Sequence, residues 1–144
     1  MQITKELLID SSLEKVYGAY ADISSWKKVL SEVVDVNINY DDGIHQEFDM
    51  TVQRGDAQET VHSIRFCYPC SAIEIFQTTP PPLFKSMSGV WKFITQSKGV
   101  LVQATRNFEI KEGVYFDASI LEKFLEHNLT SFKKWIEACA KDHR

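Results

Sequence analysis

Asn128 falls inside an apolar stripe, Leu121, Phe124, Leu125, Leu129, Phe132, Ile136 and Cys139, whose spacing places these residues along one face of a helix. A carboxamide on such a face is either satisfied by backbone groups in the core or points into a cavity that needs it. Arg106 raises the same alternative on a strand. It shares parity with Val100, Val102, Ala104, Phe108 and Ile110, so it projects from an apolar face into the interior. A guanidinium there is costly unless it is paired. Its alternatives are an ion pair with Glu74 or Glu109, snorkelling to the rim, or a ligand. A third candidate, Arg65, shares a strand face with Val61 and Ser63, whereas His62, Ile64 and Phe66 share the other, and alternation leaves open which face is inward. Arginine stays protonated and cannot act as a base, but it can hold a developing oxyanion and polarise a carbonyl.

Other candidates carry less. Cys67-Tyr68-Pro69-Cys70 has the spacing of a redox or half-zinc motif, yet it lacks a helix N-terminus to stabilise a thiolate and a second ligand pair, so it reads as a turn. His45 and Asp49 share parity opposite Phe48 and Met50 and face solvent. No Ser-His-Asp set, metal cluster or Gly-rich phosphate loop stands out, so neither a metal nor another cofactor is expected. Three cysteines are an odd set for a chain able to build its own core, which argues against a disulfide framework.

The elements that must position these residues follow from periodicity. The chain of 144 residues fits one domain spanning 1–144. It predicts a strand over about 2–9 and a helix opened by Ser11-Ser12-Leu13-Glu14, a capping-box pattern, and running to about Tyr20. Asp22-Ile23-Ser24-Ser25-Trp26 starts a second short helix ending near Leu30. Six strands follow, turning at Asp41-Asp42-Gly43, Arg54-Gly55-Asp56, Pro69-Cys70, Pro80-Pro81-Pro82 and Ser97-Lys98-Gly99. A long helix then runs from about 117, with Asp117 as N-cap, to about 141. The expected fold is therefore α+β, a seven-stranded antiparallel sheet curled around one long helix. A bent sheet cannot touch a straight helix everywhere, so a pocket is expected between them.

Composition narrows the partners. Lys and Arg number 16 against 20 Asp and Glu, a net charge of −4, and the basic residues are scattered, which argues against nucleic acid. No apolar run reaches membrane-spanning length, and the N-terminus lacks the basic start, apolar stretch and cleavage site of a signal peptide, so a cytoplasmic address is expected.

The order of elements, together with Ala21-Asp22-Ile23-x-x-Trp26, Ser63-x-Arg65, Pro81-Pro82-Leu83-Phe84-x-x-Met87-x-Gly89-x-Trp91-x-Phe93, Asn107-Phe108-Glu109-Ile110 and Asn128-Leu129-x-x-x-Lys133, resembles the polyketide cyclase/dehydrase family of the START-like helix-grip (SRPBCC) superfamily over essentially the whole chain. Within it the chain is most similar to the aromatase/cyclases, with quinone-binding proteins as close relatives. The resemblance implies a poly-β-ketone, tethered to an acyl carrier protein, held in an internal cavity for aldol cyclisation and dehydration. It maps Arg65 and Asn128 onto the reacting site and Trp26 and Trp91 onto its wall; Ser63, able to hold a carbonyl or a water, is expected with the catalytic pair, and Arg106, Phe124, Met87 and Phe108 are expected around the substrate. A homodimer is among the expected assemblies. The alternative is a carrier of a quinone, isoprenoid or lipid without catalysis. The chain departs from the aromatase/cyclases in having Val33 where they tend to carry a tyrosine, and Glu59 and Val61 where they carry tryptophans.

Overall fold

The computed structural model describes the backbone of residues 1–142 and side chains through Cys139. β1 (Gln2–Ile9) leads into α1 (Leu13–Ala21), a single 3-10 turn (Ile23–Ser25) and α2 (Trp26–Val29). Six strands follow: β2 (Val33–Asp41), β3 (His45–Arg54), β4 (Ala57–Tyr68), β5 (Ala72–Thr79), β6 (Phe84–Gln96) and β7 (Gly99–Ile110). α3 (Ala118–Asp142) closes the described chain. The strands form one antiparallel sheet in the order β1-β7-β6-β5-β4-β3-β2. Each strand from β2 to β7 pairs with its sequence neighbour, and β1 closes on β7. The strands, turns and long helix are those the periodicity predicts, and their arrangement is the helix-grip that the resemblance implies.

Local chemistry fixes the joints. Ser12, rather than Ser11, is the N-cap of α1, its Oγ accepting from the Lys15 amide at 3.3 Å, so the expected capping box shifts by one residue and Glu14 is left simply as a first-turn acid. Val16 and Tyr20, four apart, are the buried face of that helix. The β2–β3 hairpin turns at Gly43, whose φ of +90° suits glycine, while Asp42 accepts from the amides of Ile44 and His45. Cys67-Tyr68-Pro69-Cys70 spans the end of β4 and the turn into β5, with Cys70 at φ +57° and both thiols free.

α3 has 25 residues, about 37 Å of helix, and lies across the inner face of the sheet. Lys5 on β1 reaches Glu122 and Glu126 at 3.5 and 3.2 Å, and Lys133 donates to the Leu8 carbonyl at 3.0 Å. On the other side His127 meets Glu32 ahead of β2 at 3.0 Å. The two halves of α3 have different surroundings. Leu129, Phe132 and Ile136 join Val16, Tyr20, Trp26, Trp91 and Phe93 in a filled core where Tyr20 and Phe132 stack at 3.9 Å. The N-terminal half carries Leu121, packed with Phe84, Met87 and Phe108, beside a cavity. Leu121, Leu125, Leu129 and Phe132 are buried as their spacing predicts. Phe124 is not: it is 46% exposed, because it stands at the cavity mouth.

On the outer face His62 sits between two carboxylates, Nδ1 2.8 Å from Asp49 Oδ1 and Nε2 2.9 Å from Glu47 Oε1. Both ring nitrogens donate only in the imidazolium. The hydrogen bond to Asp49, then that to Glu47, therefore raises the His62 pKa above its ordinary 6.5, and the same His62 bond lowers that of Asp49. A group whose folded pKa is raised stabilises fully below its unfolded pKa and loses that contribution as pH rises through the folded value. The three side chains remain a quarter to two-fifths accessible, so the contribution is about 1 kcal/mol or less. The melting temperature of wild type should exceed that of His62→Gln most at about pH 5–6, and the difference should fade as pH rises above about 7. A pH-independent difference would contradict the clamp.

Candidate functional site

Sheet register decides what alternation left open. One row of laterally paired residues runs Ile3, Arg106, Gly89, Ile75, Arg65 and Gln46 across β1, β7, β6, β5, β4 and β3. Both arginines therefore project from the same face, the one that meets α3. They stand three strand spacings apart, about 14 Å, and their surroundings differ.

Arg65 is fully buried. Its Nη2 donates to the Ala21 carbonyl at 2.9 Å and its Nε to Gln46 Oε1 at 2.8 Å. Gln46 in turn donates to the same carbonyl at 2.8 Å. Ala21 is the last residue of α1, so the guanidinium caps the carbonyl end of a helix, where the macrodipole favours a cation. Trp26 donates from Nε1 to the neighbouring Tyr20 carbonyl at 3.0 Å and lies 5.4 Å from the Arg65 guanidinium carbon. Desolvation lowers the Arg65 pKa to about 10, still well above neutrality.

Arg106 has no such partners. Its guanidinium carbon lies 4.4 Å from the Trp91 ring centroid, and Nη1 donates to the adjacent Thr105 carbonyl at 3.2 Å. No carboxylate pairs with it among the described residues. Neither ion pair envisaged for it forms: Glu74 accepts from Tyr68 Oη at 2.7 Å, on the outer face, and Glu109 is exposed. Its pKa is lowered to about 10, first by desolvation and further by the charge of Arg65, and only Tyr20 acts the other way. Gly89 makes the space it occupies. A Cβ added there would stand 2.4 Å from Arg106 Nη1, 2.9 Å from Arg106 Cδ and 2.5 Å from the Thr105 carbonyl oxygen, so the missing side chain is the slot in which Arg106 lies.

The slot opens into a cavity of about 570 Å³ between the sheet and the first half of α3, within the range of small-molecule sites. Met87, Arg106, Phe124, Leu125 and Asn128 line it, with Phe84, Gln77 and the 81–83 and 115–117 loops. Asn128 Oδ1 and Gln77 Oε1 are buried without a hydrogen-bond partner. Arg54 and Glu59 pair across the mouth at 3.1 Å, with Arg54 over the Phe124 ring at 4.7 Å. Asp117, also lining, accepts from the Ser119 amide at 3.0 Å.

Of the residues singled out in the sequence, Arg106, Asn128, Met87 and Phe124 thus meet at one cavity. Arg65, Ser63, Trp26, Trp91 and Phe108 do not line it. Arg65 is committed to the α1 terminus, with Trp26 beside it. Trp91 is the floor beneath Arg106. Phe108 packs under Phe84 and Phe116. Ser63 is buried one strand over from Gln77, its paired neighbour. Gln77 and Arg54 escaped the sequence reading because only register brings them to the cavity, and Glu59 entered it only as a departure from the aromatase/cyclases. Gly89 had a signal, its place between Met87 and Trp91 in the Met-x-Gly-x-Trp run.

No protein-family model and no curated protein matches the chain. Solved structures do resemble it. The di-domain aromatase/cyclase StfQ from the steffimycin biosynthetic pathway superposes with a TM-score of 0.85 at 24% identity over 97% of this chain, which spans only 51% of StfQ. The Zhui aromatase/cyclase from Streptomyces sp. R1128 gives 0.85 at 16% identity, covering 95% of this chain and 93% of that one. A START superfamily protein from Mycobacterium smegmatis gives 0.83 at 16%, covering 96% and 98%. Together with the strand order and the gripped helix, these likenesses establish the START-like helix-grip fold.

The two arginines should separate by stability. Arg65→Met leaves the Ala21 carbonyl and Gln46 Oε1 short of a charged donor and should cost about 3 kcal/mol in denaturant unfolding. Arg106→Met removes a half-buried charge that has no counter-charge among the described residues and should be neutral or stabilising. Equal losses would refute the distinction. Gly89→Ala should cost about 1–3 kcal/mol by overpacking, and a double-mutant cycle with Arg106→Ala should recover part of that loss rather than add to it.

Proposed function

We propose that the cavity binds an oxygenated hydrophobic molecule of the polyketide type and promotes its aldol cyclisation and dehydration. One observation carries the reading: Arg106, seated in a glycine slot over Trp91 with no carboxylate beside it, shares a cavity with the unsatisfied amides of Asn128 and Gln77. The guanidinium and the amide N–H groups can meet ligand oxygens, while the buried Asn128 Oδ1 and Gln77 Oε1 call for a donor such as a ligand hydroxyl or enol. The aromatase/cyclase neighbours of the fold agree with this substrate class.

Ring closure requires an enolate formed beside one carbonyl to attack a second carbonyl, followed by loss of water. Arg106 supplies charge for the oxyanion that develops on the attacked carbonyl, in a site walled by apolar side chains where that charge is weakly screened. Asn128 and Gln77 hold further carbonyl oxygens and so fix which carbons meet. The acidic methylenes of a poly-β-ketone make a weak base sufficient, so shape and oxyanion stabilisation bear most of the catalysis. Arg65, which the resemblance puts beside the reacting chain, acts here by holding α1 and, through Trp26 and Trp91, the floor under Arg106. An acyl carrier protein is the proposed donor of the chain.

A second reading, a carrier of a quinone, isoprenoid or lipid, has its own observation. The carboxylates that line the cavity, Glu59 and Asp117, are both engaged, so no uncommitted carboxylate base lines it among the described residues. Reconstitution with a minimal ketosynthase and an acyl carrier protein separates the two. The cyclase reading expects a ring-closed product profile that depends on this chain, with Arg106→Ala lowering turnover on the order of a hundredfold while binding falls less. A profile unchanged across several chain lengths would leave the carrier reading standing.

A further inference from the structure

Three clusters beyond the proposed reaction offer chemistry. His62 with Glu47 and Asp49 is a self-satisfied clamp. The apolar outer face around Phe66 and Phe76 has nothing on it to identify a partner. The third is the charge balance of the cavity itself, which goes further.

Four ionisable side chains that carry charge at neutral pH line the cavity: Arg54, Glu59, Arg106 and Asp117. Arg54 and Glu59 neutralise one another at 3.1 Å. Asp117 is exposed and holds the first turn of α3 through the Ser119 amide. Arg106 is left with a full positive charge against the face of Trp91, in a slot that exists only because residue 89 has no Cβ. A neutral side chain would fill that slot at less cost in desolvation. The amides of Asn128 and Gln77 line the same cavity; their Oδ1 and Oε1 are buried without a donor, and each amide can also donate two N–H to an occupant. Both carboxylates among the described lining residues, Glu59 and Asp117, already have partners.

From this geometry we infer that the cavity takes an anion: a ligand with an apolar body and a carboxylate at its inner end, bound by the Arg106 guanidinium and flanked by Asn128 and Gln77. The inference rests on the reading of the cavity as a ligand site and adds its charge. A guanidinium and a carboxylate form paired, charge-assisted hydrogen bonds that a carboxamide or ester cannot match. The mouth suits an apolar body, since Leu83, Ile120, Phe124 and Tyr115 are exposed around it. A free carboxylic acid meets this requirement and a thioester does not, so the anion would be a released acid and not the chain still bound to its carrier protein.

The test is calorimetric titration at neutral pH with acid and amide pairs of equal shape: dodecanoic acid with dodecanamide, and anthracene-2-carboxylic acid with its amide. In the wild-type protein the acid should bind about tenfold or more tightly than its amide, as expected for a charge-assisted bond. Arg106→Gln should abolish the preference, weakening the acid far more than the amide, and Arg106→Lys should retain part of it. Glu59→Gln, which frees Arg54 at the mouth, should leave the preference tied to residue 106. Acid and amide binding equally to wild type would overturn the anion site while the cavity reading stands. A preference that survives Arg106→Gln would move the anion elsewhere and also overturn it. Failure of all four probes to bind would count against the cavity reading itself. The wild-type comparison needs no variant to fold.

Discussion

Two guanidinium groups on one register row of an apolar sheet face set the main physical problem of this structure. Burying a charge without a counter-charge is unfavourable, and among the described residues neither Arg65 nor Arg106 has a carboxylate partner. The fold answers the two cases differently. At Arg65 the carbonyl end of α1 is brought onto the guanidinium, with Gln46 as a second acceptor and Trp26 alongside. The connection from β1 to β2 is thereby anchored to the middle of the sheet. At Arg106 the sheet supplies only an aromatic floor and a vacant Cβ position. One charge is absorbed by architecture, and the other faces the cavity.

The position of the cavity follows from what is packed between α3 and the sheet. α1 fills the space at the C-terminal half of α3, where Tyr20 stacks on Phe132 and meets Trp26 and Trp91 at 6.3 and 5.9 Å. No helix fills the N-terminal half, which is bounded by the loops around Pro82 and Phe116. The aromatic core and the cavity are therefore halves of one arrangement, and Trp91 separates them, carrying Arg106 on its cavity side and Tyr20 and Trp26 on the other.

This division bears on chemistry. A site built from one guanidinium and two amides on strands and one helix suits charge stabilisation and orientation better than proton shuttling. Cyclisation of a molecule that carries its own acidic protons suits such a site, as does retention of an acid. Both uses draw on the same donors, and the identity of the natural occupant decides between them.

Periodicity alone determined the element order, the turns, the long helix and the seven antiparallel strands, because side-chain alternation and turn chemistry are local properties. It also brought Asn128 and Arg106 inward, since a polar residue on an apolar face reads as buried wherever the helix or strand lies. Alternation could not choose the inner face of β4, because both faces carry apolar residues, and pairing of Arg65 with Gln46 and Ile75 was needed to settle it. Nor could it separate two arginines of one row into a helix cap and a cavity donor. That distinction depends on where α1 ends above the sheet and on which strand lies opposite Gly89, contacts between residues 44 and 17 positions apart in the chain. Such contacts leave no trace in local spacing, and only the tertiary structure decides them.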